Sequence, residues 1–153
     1  MKKHFLYALV AASSLTACKK DDEPAPKTKQ EILADKQWRY SAITASYTLN
    51  GKTETDDIYA TLKPYDKDNF TTYKADKNFV DDEGPTRESA SDPQTRKGTW
   101  DLNYEQTKLY LTYDGSSPEA VEVTQLTDAT MVWRFVDDSQ RVIVTYTITY
   151  TAF

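Results

Sequence analysis

From residue 37 onward, apolar and polar residues alternate with a period of two, and Val, Ile, Tyr, Phe, Trp and Thr dominate the alternation. Such a run presents one apolar face on a pleated strand, which branched and aromatic side chains fill well. The first run covers 38–49. Its apolar positions are Trp38, Tyr40 and Ala42 and then, with changed parity, Ile43, Ala45, Tyr47 and Leu49, which predicts a bulge near Ala42. Asn50-Gly51 tolerate positive φ and predict a two-residue turn. A returning strand is expected over 56–63, with Ile58, Ala60 and Leu62 on one face. Residues 70–74 and 78–82 flank Ala75-Asp76-Lys77 as a second hairpin. Further strands run from Gly98 through Trp100 and Leu102, and through Leu109, Leu111 and Tyr113 to Asp114-Gly115. Val121 and Val123, then Met131, Trp133 and Phe135, continue the pattern. In the last run Val142, Val144, Tyr146, Ile148 and Tyr150 alternate with Arg141 and a series of threonines. Residues 84–97 hold Pro85, Pro93 and, as their apolar residue, Ala90, which predicts a polar loop.

A short helix precedes these strands. Thr28 and Glu31 have the spacing of a capping box, and Ile32, Leu33 and Ala34 supply a small apolar face before Trp38. Many short strands with hairpin-length links and almost no helix leave a sandwich or a closed barrel. Closure removes edges, and the long threonine-rich last strand would otherwise be an open template for association. The expectation is an all-β domain over 28–153: a single antiparallel up-and-down β-barrel of about eight to nine strands with a short N-terminal helix.

The first 17 residues follow another pattern. Lys2 and Lys3 precede an apolar stretch from Phe5 to Ala12, and small residues follow, as in a secretory leader. The stretch is about half the roughly 20 residues that a membrane-spanning helix needs. Leu15-Thr16-Ala17-Cys18 resembles the lipobox of bacterial lipoproteins. That resemblance implies cleavage before Cys18, acylation of its thiol and new amine, and a firm membrane anchor, since stable anchoring takes more than one acyl chain. Lys19 to Glu23 and Pro24-Ala25-Pro26-Lys27 cannot bury enough apolar surface to order themselves. Residues 18–27 therefore read as a lipidated tether. The lysine-then-acidic run is similar to the export signal of surface lipoproteins of the Bacteroidota, or is a solvated spacer. The location expected is the outer membrane, with exposure on the cell surface as one of its two orientations.

Charge and composition narrow the chemistry. Of the 19 basic residues Lys2 and Lys3 fall in the leader, leaving 17 against 24 acidic residues, a formal net charge of −7. That surface repels polyanions, which argues against nucleic-acid binding. His4 lies in the leader and Cys18 is the lipid attachment point, so the domain has neither histidine nor a free thiol. Triads, histidine acid–base chemistry, Cys/His zinc sites and internal disulfides all fall away. No enzyme, cofactor or metal is expected, and the oligomeric state is not legible.

Lys36-Gln37-Trp38-Arg39, Phe70 through Gly84, Gly98-Thr99-Trp100-Asp101-Leu102, and Leu126-Thr127 with Met131-Val132-Trp133 resemble the lipocalin-like domain of Bacteroidota lipoproteins. The resemblance spans about residues 30–153 and implies a calycin-type barrel whose mouth takes small apolar ligands. Lys36 stands where lipocalins place a glycine, and the cysteine pair that many relatives carry in the Tyr65 and Glu88 regions is absent. An arginine packing over the first tryptophan is also implied, with Arg134 and Arg141 as candidates over Trp38.

Trp38, Trp100, Trp133, Tyr146 and Tyr150 share the inward parity. They line a ligand cavity or fill the interior, and in small barrels such residues more often fill it. Asp66, Asp68 and Asn69, and Asp81-Asp82-Glu83-Gly84, are oxygen-rich in the way calcium sites are, but lack EF-hand spacing and read as solvated turns. Tyr47, Tyr59, Tyr73, Tyr104 and Tyr110 are candidates for a surface that stacks on sugars. Two functions remain: non-catalytic binding of a small apolar or amphipathic molecule, or an accessory role in which a filled barrel contacts a protein or glycan.

Overall fold

The computed structural model describes residues 25–139 and 141–153. The leader, Cys18 and most of the tether lie outside the described residues. Helix α1 (Lys29–Leu33) starts as expected, with the Glu31 N–H donating to Thr28 Oγ1 at 3.2 Å and the Thr28 N–H donating to Glu31 Oε2 at 2.7 Å. Strands β1 (Lys36–Leu49) and β2 (Lys52–Asp57) form the first hairpin across Asn50 and Gly51, whose φ values are 52° and 77°. Two single-turn helices follow, α2 (Ile58–Thr61) and α3 (Pro64–Lys67). Then come β3 (Phe70–Tyr73), β4 (Asn78–Asp82), β5 (Thr95–Leu102), β6 (Lys108–Tyr113), β7 (Glu119–Leu126), β8 (Thr130–Asp137) and β9 (Val144–Ala152).

From β3 to β9 each strand pairs antiparallel with the next, and β9 returns to β1 in register from Trp38↔Ala152 to Tyr47↔Val144. β1 also pairs with β3 through Lys36–Arg39, so eight strands close a lipocalin-like barrel. The ninth, β2, lies outside the closed ring along the second half of β1. Its free edge consists of Lys, Glu, Asp and Thr, a composition that resists edge-to-edge pairing.

The bulge in β1 falls at Ser41, where the register with β9 skips from Tyr40 to Ala42. The extra residue lets Trp38 and Tyr40 face inward on one side of it and Ile43, Ala45 and Tyr47 on the other. Strand pairing thus explains the change of parity in the sequence. A second bulge in β7, between Val123 and Gln125, does the same for Val123 and Leu126.

Two expectations need correction here. The strand placed over 56–63 ends at Asp57, and Ile58–Thr61 is helical. The tight turn pairs Leu49 with Lys52, so the returning strand begins at once and is polar; the Asp57 carboxylate then accepts from the Ala60 N–H at 3.0 Å and starts a helix. The cation over Trp38 is Lys36, with Nζ 5.8 Å from the ring centre. Arg134 instead donates to Glu122 at 2.6 and 2.9 Å, and Arg141 is exposed beside Tyr47 and Ile143.

The polar loop between β4 and β5 is shorter than 84–97, because β5 starts at Thr95. It is tied by Glu83 N–H donating to Gln94 O at 3.0 Å and Gln94 Nε2 donating to Asp82 Oδ1 at 2.7 Å.

Candidate ligand-binding cup

The two ends of the barrel differ. At one end α1 lies over the interior: the Trp38 indole donates to Leu33 O at 3.0 Å, and the Asp35 N–H donates to Tyr73 O at 2.7 Å. Below it Trp38, Trp100, Tyr73, Phe79, Leu109 and Met131 are fully buried and fill the cross-section. The Trp100 indole donates to Lys74 O at 3.0 Å, and the ring meets Tyr73 edge-on at 5.8 Å. This half is a packed core.

The other end, framed by the β4–β5, β6–β7 and β8–β9 loops, is open. An open-mouthed cavity of about 400 Å³ lies there. Its floor is Trp133 and Tyr150, ring centres 4.6 Å apart, and its walls include Tyr40, Leu111, Tyr113, Val121, Phe135 and Ile148. Tyr146 stacks on Phe135 at 4.9 Å with the rings 14° from parallel, extending the aromatic wall toward the rim. Val136, Ala120 and Glu119 stand at the edge.

One side of this cup is polar. β1 and β3 pair only as far as Arg39↔Phe70, and beyond that point a pocket of about 40 Å³ opens between them, lined by Trp38, Tyr40, Thr71, Asp81, Arg96 and Tyr150 among others. Asp81 is its centre. Thr71 Oγ1 donates to Asp81 Oδ1 at 2.6 Å and Tyr113 OH to Asp81 Oδ2 at 2.5 Å. The Arg96 guanidinium lies 3.9 Å from Asp81 Oδ2 and 5.1 Å from the centre of the Tyr113 ring. Burial, and then the Asp81 charge, push the Tyr113 hydroxyl well above its ordinary value. Burial raises Tyr40, Tyr73 and Tyr150 as well. All four phenols are therefore neutral hydroxyls at neutral pH. Among the described residues three buried donors lack partners: Arg39 Nε, Tyr73 OH in the core and the Nε1 of Trp133, a residue of the cavity floor.

The five aromatic residues singled out from the sequence are thus divided between the two halves. Trp100 belongs to the filled half, Trp38 joins the filled half to the small pocket, Trp133 and Tyr150 form the floor of the cup, and Tyr146 its upper wall. Tyr73, read as a surface tyrosine, is fully buried, because β3 is only four residues long and Tyr73 takes the inward parity opposite Phe79. Tyr104 and Tyr110 are exposed. The sequence reading missed Asp81, Arg96, Tyr40 and Tyr113 as members of one site. Their signal was parity: Asp81 shares the face of Phe79, and Arg96 that of Gly98 and Trp100. The neighbouring carboxylates serve the loops, Asp68 Oδ2 accepting from Thr86 N–H at 3.0 Å and Asp82 Oδ1 from Gly84 N–H at 2.9 Å.

Neither a comparison with protein-family models nor one with curated proteins finds a match to this chain.

Proposed function

We propose that this chain is a lipid-anchored outer-membrane protein whose barrel binds a small amphipathic molecule, without catalysis, in its open end. The observation that carries the reading is the cavity of about 400 Å³, apolar and aromatic for most of its wall, with the small polar pocket around Asp81 adjoining it at Tyr40 and Tyr150. Ligand pockets of roughly 300–1,000 Å³ with a few convergent polar groups have this character. The leader, the lipobox-like Leu15-Thr16-Ala17-Cys18 and the unpackable tether support the anchor. Because α1 sits at the filled end, a tether leaving Thr28 would put the mouth on the side away from the bilayer.

Native mass spectrometry of the protein purified from its own membrane is the test of binding. A defined small molecule should be retained by the native chain and lost from Phe135→Ala and Tyr146→Ala, both of which should remain folded. A chain that is folded and empty under all purification conditions would overturn the reading. The anchor is tested separately. Cys18→Ala should release the protein from the membrane fraction, and replacing Asp21, Asp22 and Glu23 with alanine should keep the acyl chains but turn the protein toward the periplasm.

A second reading has its own support. Leu49, Val136 and Ile143 are large apolar residues exposed around the open end, and Tyr47, Val142 and Ile143 border a groove of about 480 Å³. Those residues suit contact with a protein, as an accessory lipoprotein would make.

A further inference from the structure

The polar side of the cup carries a charge preference, and this inference rests on the cavity being a ligand site. Among the described residues that line the cavity and the adjoining pocket, Asp81, Asp82, Glu83 and Glu119 are acidic and Arg96 alone is basic. Asp81 is the inner member, with its side chain 21% exposed against 64% for Arg96. Both Asp81 oxygens are held by neutral hydroxyls, those of Thr71 and Tyr113. Among the described residues its charge is met only by Arg96, across 3.9 Å, too far for a hydrogen bond. The guanidinium rests instead over the Tyr113 ring, and most of it is in water. A cation therefore already occupies the position beside Asp81 and over an aromatic face, and it is held loosely. Trp133, a residue only 7% exposed on the floor of the same cavity, has a buried indole N–H without a partner.

We propose that the cup selects amphiphiles with a positively charged head, an alkylammonium, whose nitrogen takes the place of the Arg96 guanidinium beside Asp81 and over Tyr113. The apolar body then lies along Val121, Phe135 and Ile148, and Arg96 swings into solvent. A carboxylate beside an aromatic ring, shielded from water, attracts an organic cation through both its charge and the ring quadrupole. An anionic head in the same place meets the like charge of Asp81, an arrangement that disfavours a partner. Arg96 is in this view a placeholder that satisfies Asp81 in the empty cup.

The test uses the mature chain with Cys18→Ala, so that no acyl chain competes, and three probes with one ten-carbon tail: decylammonium, decanoate and decanol. Titration is followed by calorimetry and by tryptophan fluorescence, below micelle-forming concentrations. Decylammonium should bind at least about tenfold more tightly than the other two, a difference of about 1.4 kcal/mol. Asp81→Asn should remove that advantage, bringing decylammonium to the level of decanol measured on the same variant. Arg96→Gln, on the exposed side of the site, should strengthen decylammonium several-fold, about threefold or more, because no placeholder has to leave. Equal or tighter binding of decanoate or decanol, or weaker decylammonium binding by Arg96→Gln, overturns the charge preference and leaves the cup. Failure of all three probes to bind overturns the cup itself.

Discussion

Gly98 owes its identity to a neighbouring ring. A Cβ built there would lie 2.7 Å from the Phe79 ring and would also collide with the Thr112 carbonyl oxygen across the sheet. Gly98→Ala should therefore destabilise by about 1–3 kcal/mol through overpacking. Gly51 is the converse case, with φ at 77° and nothing within 4 Å of the missing Cβ. Gly51→Ala should cost only about 1 kcal/mol, from the backbone alone. Urea melts of the two variants measure the difference. At the filled end, Asp128 Oδ1 accepts from Lys27 Nζ at 2.8 Å and Lys36 Nζ at 2.7 Å, and these bonds hold its carboxyl at about 2, below the ordinary 3.8. A depressed folded value means the contribution is complete above about pH 4 and lost as pH falls through about 2. NMR titration should show the low midpoint, and Asp128→Asn should flatten the acid side of the stability profile in that window. Lys36 thus has a structural use at the place where the lipocalin resemblance expects glycine.

Strand β9 packs one face against the core, with Tyr150 buried and Ile148 against the cluster, and that sets the cost of its substitutions. Ile148 lies opposite Trp133 and Ile43, and packs on the core. Thr147 lies opposite Arg134 and Thr44 on the outer face. Ile148→Asp should cost about 3 kcal/mol or more, since it desolvates an unpaired carboxylate. Thr147→Asp should stay under about 1 kcal/mol. Equal losses would mean a strand covered on both sides. In β1 the bulged residue is what keeps both halves in phase. Deleting Ser41 shifts one half by one position and turns either Trp38 and Tyr40 or Ile43 and Ala45 to the outside. That variant should fail to give a cooperative melt.

For the molecule as a whole, three tyrosines in the interior link the fold to alkaline pH. Tyr40, Tyr73 and Tyr150 are raised above 10.0, in each case by burial first. A raised folded value gives stability that is complete below the unfolded value near 10 and lost as pH rises above it. Each group withdraws stability as pH rises from its ordinary value of 10.0 toward its own raised one. Alkaline unfolding is therefore expected above about pH 10. Absorbance of the buried tyrosinates at 295 nm should appear together with the loss of β-sheet circular dichroism. Titration of these residues at lower pH, with the sheet intact, would contradict the packing of the interior. The cup itself should be dispensable for stability: Trp100→Ala in the filled half should cost about 3–5 kcal/mol, and Phe135→Ala on the cup wall markedly less.

Local chemistry was enough for the elements whose cause is local. The Thr28–Glu31 box, the Asn50-Gly51 turn, the parity change around Ala42 and the alternation of β9 are each decided within a few residues, and they narrow the fold to a sandwich or a closed antiparallel barrel. Where two local signals competed, at Ile58, Ala60 and Leu62, a three-residue alternation was outweighed by the Asp57 cap. The absence of histidine and of a free thiol from the domain was likewise complete in the sequence. What only the tertiary structure decided is which inward residues meet. Five aromatic positions of the same parity became core at one end and cup at the other, because α1 covers one mouth and leaves the opposite one open. Asp81, in a run of acids that reads as a solvated turn, became the carboxylate facing Tyr113 and Arg96 because β3, β4, β5 and β6 curve it into the ring. Parity along one strand tells inside from outside, but position along the barrel axis and the facing partner depend on the register of strands far apart in the chain.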